Sequence, residues 1–219
     1  MRNLYDHARF QKYLFELESA LCSTAQRECE GLHADTQLSA AIYAFLRATS
    51  LFRAALSLLE SGLIDACDVL RRAYWEAWML GYEFRLKSAS AHTVQWHLEK
   101  HKHSEPDLKK IKAFEASHGI PTPKYGSDYG GLSEVSHPTK SAAENSVVTV
   151  TALHANPDSR VHLGQARDTM AHEDAPAIMY LLIWTTTVES PDMISLGIKP
   201  EAVPWAFSFY SDYESEFSS

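Results

Sequence analysis

Apolar residues recur at steps of three and four through much of the first half of the chain, which is the spacing of one face of an α-helix. The clearest stripe follows a capping signal at Asp35 or Thr36. A first helix is predicted from about Leu4 to Cys29, and a third from about Leu63 to Lys87. The third is apolar nearly all round, so we expect it at the centre of a bundle. The second-helix stripe consists of Leu38, Ile42, Phe45, Thr49, Phe52, Leu56 and Leu59.

The second half carries shorter patterns. Two short helices are predicted between 90 and 117. β-Branched residues followed by the turn sequence Asn156-Pro157-Asp158-Ser159 favour a β-hairpin at 147–163. The sequence Asp174-Ala-Pro176 predicts the start of another helix, and the aromatic segment 200–217 is expected to dock onto the body or onto a partner subunit. The expected fold class is mainly α, an up-and-down antiparallel helical bundle with a small inserted β-hairpin.

Composition narrows the classes of function. A chain of 219 residues with 45% hydrophobic content suits one domain, 1–219. The net charge of -8 argues against a broad electrostatic footprint for nucleic acid, and no DNA footprint is expected, although a local basic patch stays open. Cys22, Cys29 and Cys67 form no CxxC pair, so we expect reduced thiols in a cytoplasmic protein. No apolar run approaches the roughly 18 residues that span a bilayer, so no membrane association is expected.

One polar stripe is the first candidate site. Tyr129, Ser133 and His137 fall four residues apart, so they would share one face of a short helix that ends before Pro138. Histidine is the side chain whose ordinary pKa lies near neutrality, which makes it a natural general acid or base. A structural alternative remains open, in which the serine and the histidine hydrogen-bond to fix the helix end.

A second candidate lies on the central helix. Asp68, Arg72 and Glu76 are spaced i, i+4 and i+8, with Arg71 beside them. Buried charges need partners because desolvation is expensive. The group is therefore either a structural ladder of ion pairs or a site in which an arginine faces a ligand or a phosphate.

Two further patterns involve histidine. Arg167 and His172 are separated by four residues, a spacing that matches the arginine-histidine motif of HEPN-type ribonucleases, although Pro176 places them in a connector before the next helix. His97, His101 and His103 form a cluster in which His97 and His101 have the i, i+4 spacing that can share a metal ion, but the alternation with lysines is more typical of an exposed helical face. We expect no metal ion and no cofactor.

Two sequence elements together resemble a group of bacterial helical proteins of unknown function related to HEPN domains. One is Arg-x-x-x-Glu on the central helix, and the other is Tyr-x-x-Leu-Ser-x-x-x-His-Pro. The likeness spans about Leu38 to Pro138. Members often carry an arginine shortly after the tyrosine, where this chain has Gly130, Gly131 and Leu132. The matching residues are Arg72, Glu76, Tyr129, Leu132, Ser133, His137 and Pro138.

The resemblance implies an antiparallel homodimeric bundle in a family whose better-known relatives act in RNA cleavage, toxin-antitoxin pairs and phage defence. On this interpretation the chain is a metal-independent endoribonuclease in which His137 transfers a proton and Arg72 stabilises charge on phosphate. Glu76 and Ser133 complete the expected catalytic group. The secondary candidates are Tyr129, Arg167 and His172.

Two alternatives from other classes remain. In the first, the same polar groups hold together a non-catalytic interaction or dimerisation protein, which the negative net charge and the missing arginine favour. In the second, the protein is a small-molecule sensor with a pocket lined by Trp75, Met79 and Tyr129. The expected partners are a second copy of the chain and either an RNA substrate or a cognate protein.

Overall fold

The computed structural model describes residues 4–28, 36–89 and 157–217, together with Lys109, Ala113 and Ala116. Within these ranges the backbone is mainly helical, which confirms the predicted mainly α class. The elements are α1 His7–Glu28, α2 Gln37–Glu60, α3 Ile64–Arg85, α4 Pro157–Thr169, a π-helical turn Met170–Asp174, α5 Ala175–Thr187, a 3₁₀ turn Pro200–Ala202 and α6 Pro204–Phe217.

The α2–α3 pair forms the centre of the described core. Thr36 caps α2, because its hydroxyl accepts a hydrogen bond from the Ser39 amide while Ser39 Oγ accepts one from the Thr36 amide. Six of the seven stripe residues predicted for α2 are buried, and Leu38 is half-buried. The two helices approach closely at Gly81, where an added Cβ would lie 2.9 Å from the Phe45 ring. The predicted central position of α3 is confirmed, since the second half of α3 is buried.

The apolar character of α2 has a second interpretation. Among the described helices, only α2 is long enough and apolar enough to cross a membrane, with a mean hydropathy of 1.3. Half of that stretch is buried inside the protein, and the core helix of a soluble bundle passes the same test. The composition of α2 is therefore weak support for a membrane location.

The aromatic C-terminal segment forms α6, which packs against α1 and α5. Phe209 contacts Phe10 with ring centroids 5.2 Å apart. At the start of α6 the Ala206 amide donates to Glu16 Oε2 at 2.9 Å, so a carboxylate from α1 satisfies one of the first-turn amides of α6. Nearby, Lys12 Nζ lies 3.1 Å from the centroid of the Trp205 ring. Docking of this segment onto the body agrees with the first of the two arrangements expected from its aromatic content.

A buried arginine joins the end of α3 to the segment after α5. The Arg85 side chain is fully buried; its Nε donates to the Ile194 carbonyl at 3.1 Å, and its Nη1 donates to the Thr185 carbonyl. Burial lowers the pKa of Arg85 to about 10, although Glu189 acts in the opposite direction. Leu86 and Met193 add an isolated antiparallel bridge beside these bonds.

The predicted β-hairpin at 147–163 is wrong in its second arm. Residues 157–163 belong to α4, and the segment 147–156 lies outside the described residues. The physical reason is that asparagine followed by proline, aspartate and serine suits a helix N-terminus as well as a turn. Of the helices predicted between 90 and 117, only Lys109, Ala113 and Ala116 are described, and all three are helical.

Candidate functional site

The charged group on α3 divides into two separate networks. Arg72 Nε donates to Glu76 Oε1 at 2.9 Å, and these side chains are 17% and 13% exposed. Asp68 does not flank Arg72 as the spacing suggested. It pairs instead with Arg71, whose Nη1 donates to Asp68 Oδ1 at 2.9 Å. The described contacts thus give an ion pair for Arg72 and a larger network for Arg71.

The Arg71 network joins α3 to the π turn. Arg71 Nη2 donates to the carboxylate of Asp174, so the guanidinium bridges two acidic side chains. Burial alone would lower the pKa of Arg71, but Tyr74, Asp174 and Asp68 together raise it. Burial raises the pKa of Asp68, and Arg71 opposes that shift. Arg71 therefore remains a half-buried cation that holds two elements together.

A very small cavity lies beside this network. Its volume is about 10 Å³, and Cys67, Arg71, Tyr74 and Met170 are among its lining residues. Such a space is near the lower limit for one water molecule. Burial raises the pKa of the Cys67 thiol to about 12. The cavity is too small for a substrate, and its thiol is not activated for nucleophilic chemistry.

The first candidate site lies outside the described residues. Tyr129, Ser133 and His137 all fall there, as do the histidines at 97, 101 and 103. Convergence of Arg72 and Glu76 with His137 therefore stays a prediction. Trp75 and Met79, proposed for a sensor pocket, are buried in the hydrophobic core. Among described residues, no group of three or more histidine, cysteine or acidic side chains is arranged to hold a metal ion.

Arg167 and His172 lie in helical structure, which corrects the prediction that they occupy a connector. Arg167 is in the last turn of α4, and His172 is in the π turn that follows without a break. Both residues are exposed at the surface. The helix expected to start at Asp174 is the continuation of this rod into α5. The helical context that the ribonuclease motif requires is therefore present.

Pro176 gives the local reason for the π turn. Proline has no amide hydrogen, and its ring would clash with the carbonyl four residues earlier, at His172, in a regular α-helix. The backbone widens just before this point, so that the Ala175 amide bonds to the Met170 carbonyl, five residues back. Pro176 thus interrupts the α-helical pattern without ending the helix.

Tyr5 and Glu60 bring Arg167 and His172 into one cluster. Arg167 Nη2 lies 3.4 Å from Glu60 Oε2, and the Tyr5 hydroxyl donates to Glu60 Oε1 at 2.8 Å. The Tyr5 and His172 rings meet edge to face, with centroids 6.2 Å apart. Burial, with the nearby Glu60, raises the pKa of Tyr5 above its ordinary value. We call Tyr5, Glu60, Arg167 and His172 the surface cluster.

Sequence reasoning missed Tyr5, Glu60 and Asp174. Tyr5 and Glu60 are 55 positions apart, and no local motif connects them. Asp174 was assigned to a helix cap because it precedes Pro176, whereas its side chain pairs with Arg71 across 103 positions. These pairings depend on how the helices pack. A residue pattern along one helix does not report them.

The surface cluster contains the groups needed for acid-base chemistry on a phosphodiester. Its arginine is 47% exposed, so a phosphate can reach the guanidinium and exchange places with the Glu60 carboxylate. Its histidine carries the imidazole that proteins use most often for general acid-base catalysis. The cluster is open to solvent. An open site suits a large substrate better than a small molecule, which usually binds in an enclosed pocket.

A second surface feature lies on the α1 side of the molecule. A groove of about 350 Å³ runs between α1 and the segment before α6, and Phe15, Ser19, Arg27 and Ile198 are among the residues that line it. The Phe15 side chain is 64% exposed. Exposed aromatic surface next to a groove is typical of a place where another protein binds.

Comparison with known proteins gives no family. No family model matches the sequence, and neither the curated proteins nor the solved structures contain a significant match.

Proposed function

We propose that this chain is a HEPN-like protein of the defence or toxin class that cleaves RNA without a metal ion. The observation that carries the proposal is the surface cluster, in which the exposed Arg167 pairs with Glu60 and the exposed His172 contacts the Tyr5 ring. A hydrogen bond from Tyr5 to Glu60 connects the two contacts. This moves the preferred site from His137 and Arg72 to His172 and Arg167.

In the proposed reaction His172 removes the proton from a ribose 2′-hydroxyl, and the 2′-oxygen attacks the adjacent phosphorus. The bond from phosphorus to the 5′-oxygen breaks, and that oxygen takes a proton from the solvent. The products are a 2′,3′-cyclic phosphate and a 5′-hydroxyl end. Arg167 offsets the negative charge that builds on the phosphoryl oxygens. Glu60 holds the guanidinium in place before the substrate arrives.

The test compares four single variants with the wild type on a mixed-sequence RNA in the presence of a chelator. We expect His172→Ala and Arg167→Ala each to lower cleavage at least about 100-fold, because acid-base and charge-stabilising groups contribute roughly that much. His137→Ala and Arg72→Ala should leave the cleavage rate within about threefold. The matched control Arg53→Ala removes another partly exposed arginine that pairs with a carboxylate, Glu18.

The opposite result would move the site to α3. Loss of cleavage in His137→Ala and Arg72→Ala, with His172→Ala unaffected, would restore the Arg72, Glu76, Ser133 and His137 group. A wild-type protein with no cleavage of any RNA would reject the ribonuclease proposal.

A non-catalytic interaction protein is the second candidate function. The groove beside α1, with Phe15 exposed at its edge, supports it. The change Phe15→Ser should then weaken self-association without altering the melting temperature, as measured by sedimentation and thermal unfolding. Unchanged sedimentation in that variant would contradict a role for this face in dimerisation.

A further inference from the structure

We propose that the half-buried ion pair between Arg71 and Asp174 fixes the rotation of α4 relative to α5, and so positions Arg167 beside His172. Arg71 and Asp174 are positioning residues in this proposal. Its structural part stands independently, and only its effect on catalysis rests on the proposed ribonuclease function.

The first step is the geometry of the helix. An α-helix turns by about 100° per residue, so two residues five apart point about 140° away from each other. A turn closed by bonds between residues five apart accommodates one extra residue and reduces that angle. The π turn of this chain begins between Arg167 and His172. With this turn in place Arg167 reaches Glu60 and His172 reaches the Tyr5 ring.

The second step is the anchor. Pro176 accounts for the widening of the helix, but a proline alone does not set its extent. Asp174 is the last residue of the π turn, and its carboxylate reaches Arg71 on α3. Asp68 holds the other side of the same guanidinium at 2.9 Å. The side chains of Arg71, Asp68 and Asp174 are 16%, 19% and 29% exposed, so solvent competes weakly for them.

Of the two helices that the π turn joins, α4 is the one that would move. Residues on every side of α5 are buried, among them Ile178, Met179 and Ile183. By contrast, the described side chains of α4 are exposed or half-buried. If the Ala175 amide shifted to the Ala171 carbonyl and Pro176 kinked the helix instead of widening it, α5 would stay in the core and α4 would rotate by about 100°. Arg167 would then leave Glu60.

The test uses the change Asp174→Asn, which removes the charge but keeps the shape. In deuterated protein, NMR coupling through the hydrogen bond from the Ala175 amide should identify the Met170 carbonyl as the acceptor in the wild type. We expect the variant to lose that coupling and gain one to Ala171. The NOE contacts between the side chains of Arg167 and Glu60, whose charged ends lie 3.4 Å apart in the wild type, should disappear.

Two matched controls accompany it. Asp68→Asn also removes a carboxylate from Arg71 but leaves the contact with Asp174, so the Met170 coupling should persist. Glu18→Gln removes the carboxylate of a different interhelical ion pair, with Arg53, and should change neither readout. If Asp174→Asn fails to fold, Arg71→Lys replaces it, because lysine cannot bridge two carboxylates as a planar guanidinium does.

Cleavage assays give the second readout. We expect Asp174→Asn to lower kcat at least tenfold, because Arg167 turns away and no longer offsets the charge that builds on the phosphoryl oxygens. KM should change less than threefold, because the rest of the surface that binds RNA remains. An unchanged coupling to Met170 and an unchanged NOE in folded Asp174→Asn would overturn the proposal. A wild type without RNA cleavage would reject the ribonuclease function alone, since the NMR measurements would still decide the role of the ion pair.

Discussion

Arginines in two regions of this protein have opposite environments. On α3, Arg71 is enclosed by two carboxylates and is 16% exposed. On α4, Arg167 meets one carboxylate at 3.4 Å and is 47% exposed. A buried guanidinium fixes the arrangement of helices, because leaving it unpaired is expensive. An exposed one exchanges partners readily, which suits it for binding a phosphate.

The comparison shows why residue type alone misplaces a site. The spacing of Asp68, Arg72 and Glu76 predicts one group on α3, either a ladder of ion pairs or a site in which an arginine faces a ligand. In the folded chain Asp68 pairs with Arg71, and Glu76 pairs with Arg72. The shorter pattern of Arg167 and His172 is better supported as a site, because both residues lie in helical structure and both side chains are exposed. Burial therefore separates structural charges from charges available to a ligand.

The largest expected effect is on stability. Arg71→Met should lower the free energy of unfolding by roughly 2 kcal/mol, because the half-buried carboxylates of Asp68 and Asp174 would be left without their cation and solvent would screen them only in part. Arg167→Met, the matched change at the surface, should lower it by less than about 1 kcal/mol. Urea denaturation of both variants at one pH measures the difference. Equal losses would remove the distinction between the two regions.

Thiol reactivity tests whether the interior near Arg71 stays closed. The pKa of about 12 at Cys67 leaves roughly one thiol in ten thousand ionised at pH 8. Cys22 is exposed on α1. In a Cys29→Ser background, a thiol-specific reagent should modify Cys22 at least about 100 times faster than Cys67. In urea, where the chain is unfolded, the two cysteines should be modified at equal rates, which is the control. Similar rates of modification in native buffer would mean that the interior around Cys67 opens.

Two glycines should respond to the same substitution with opposite sign. Gly81→Ala places a methyl group 2.9 Å from the Phe45 ring, and the overpacking should outweigh the gain in helix propensity by about 1 kcal/mol. Gly164 has open space around it in α4, so Gly164→Ala should stabilise the protein by about 0.5 to 1 kcal/mol. Thermal unfolding of the two variants measures both shifts. A stabilising Gly81→Ala would contradict tight packing between α2 and α3.

The smallest effect is expected at the surface pair. Glu60→Gln should change the free energy of unfolding by less than about 0.5 kcal/mol, and the change should shrink in high salt. The amide oxygen introduced by this change would still accept the hydrogen bond from the Tyr5 hydroxyl. Unfolding at two salt concentrations gives the comparison. A large loss that salt does not affect would indicate that Glu60 is structural.

Much of the helical core is predictable from the sequence because each signal is local. The stripe of α2 faces the core, and Thr36 is the cap that the sequence offered beside Asp35. The predicted limits of α1 and α3 differ from the observed ones by three residues or fewer. These features arise from side chains three or four positions apart on one helix.

The surface cluster and the π turn are not predictable in the same way. The proline that creates the π turn was interpreted as a helix start, because proline is common at that position. In the folded chain the preceding residues remain helical, since Asp174 pairs with Arg71 and buried Ala171 and Met170 hold the rod against the core. That information lies in tertiary contacts between distant segments.

The bond from the Ala206 amide to Glu16 joins residues 190 positions apart, whereas α2 and α3 are neighbours in the chain. Closing so long a loop costs more conformational entropy than forming a helical hairpin. Folding is therefore expected to begin with the α2–α3 hairpin and to finish when α6 packs against α1. The rate of refolding should fall as the chain between α1 and α6 is lengthened.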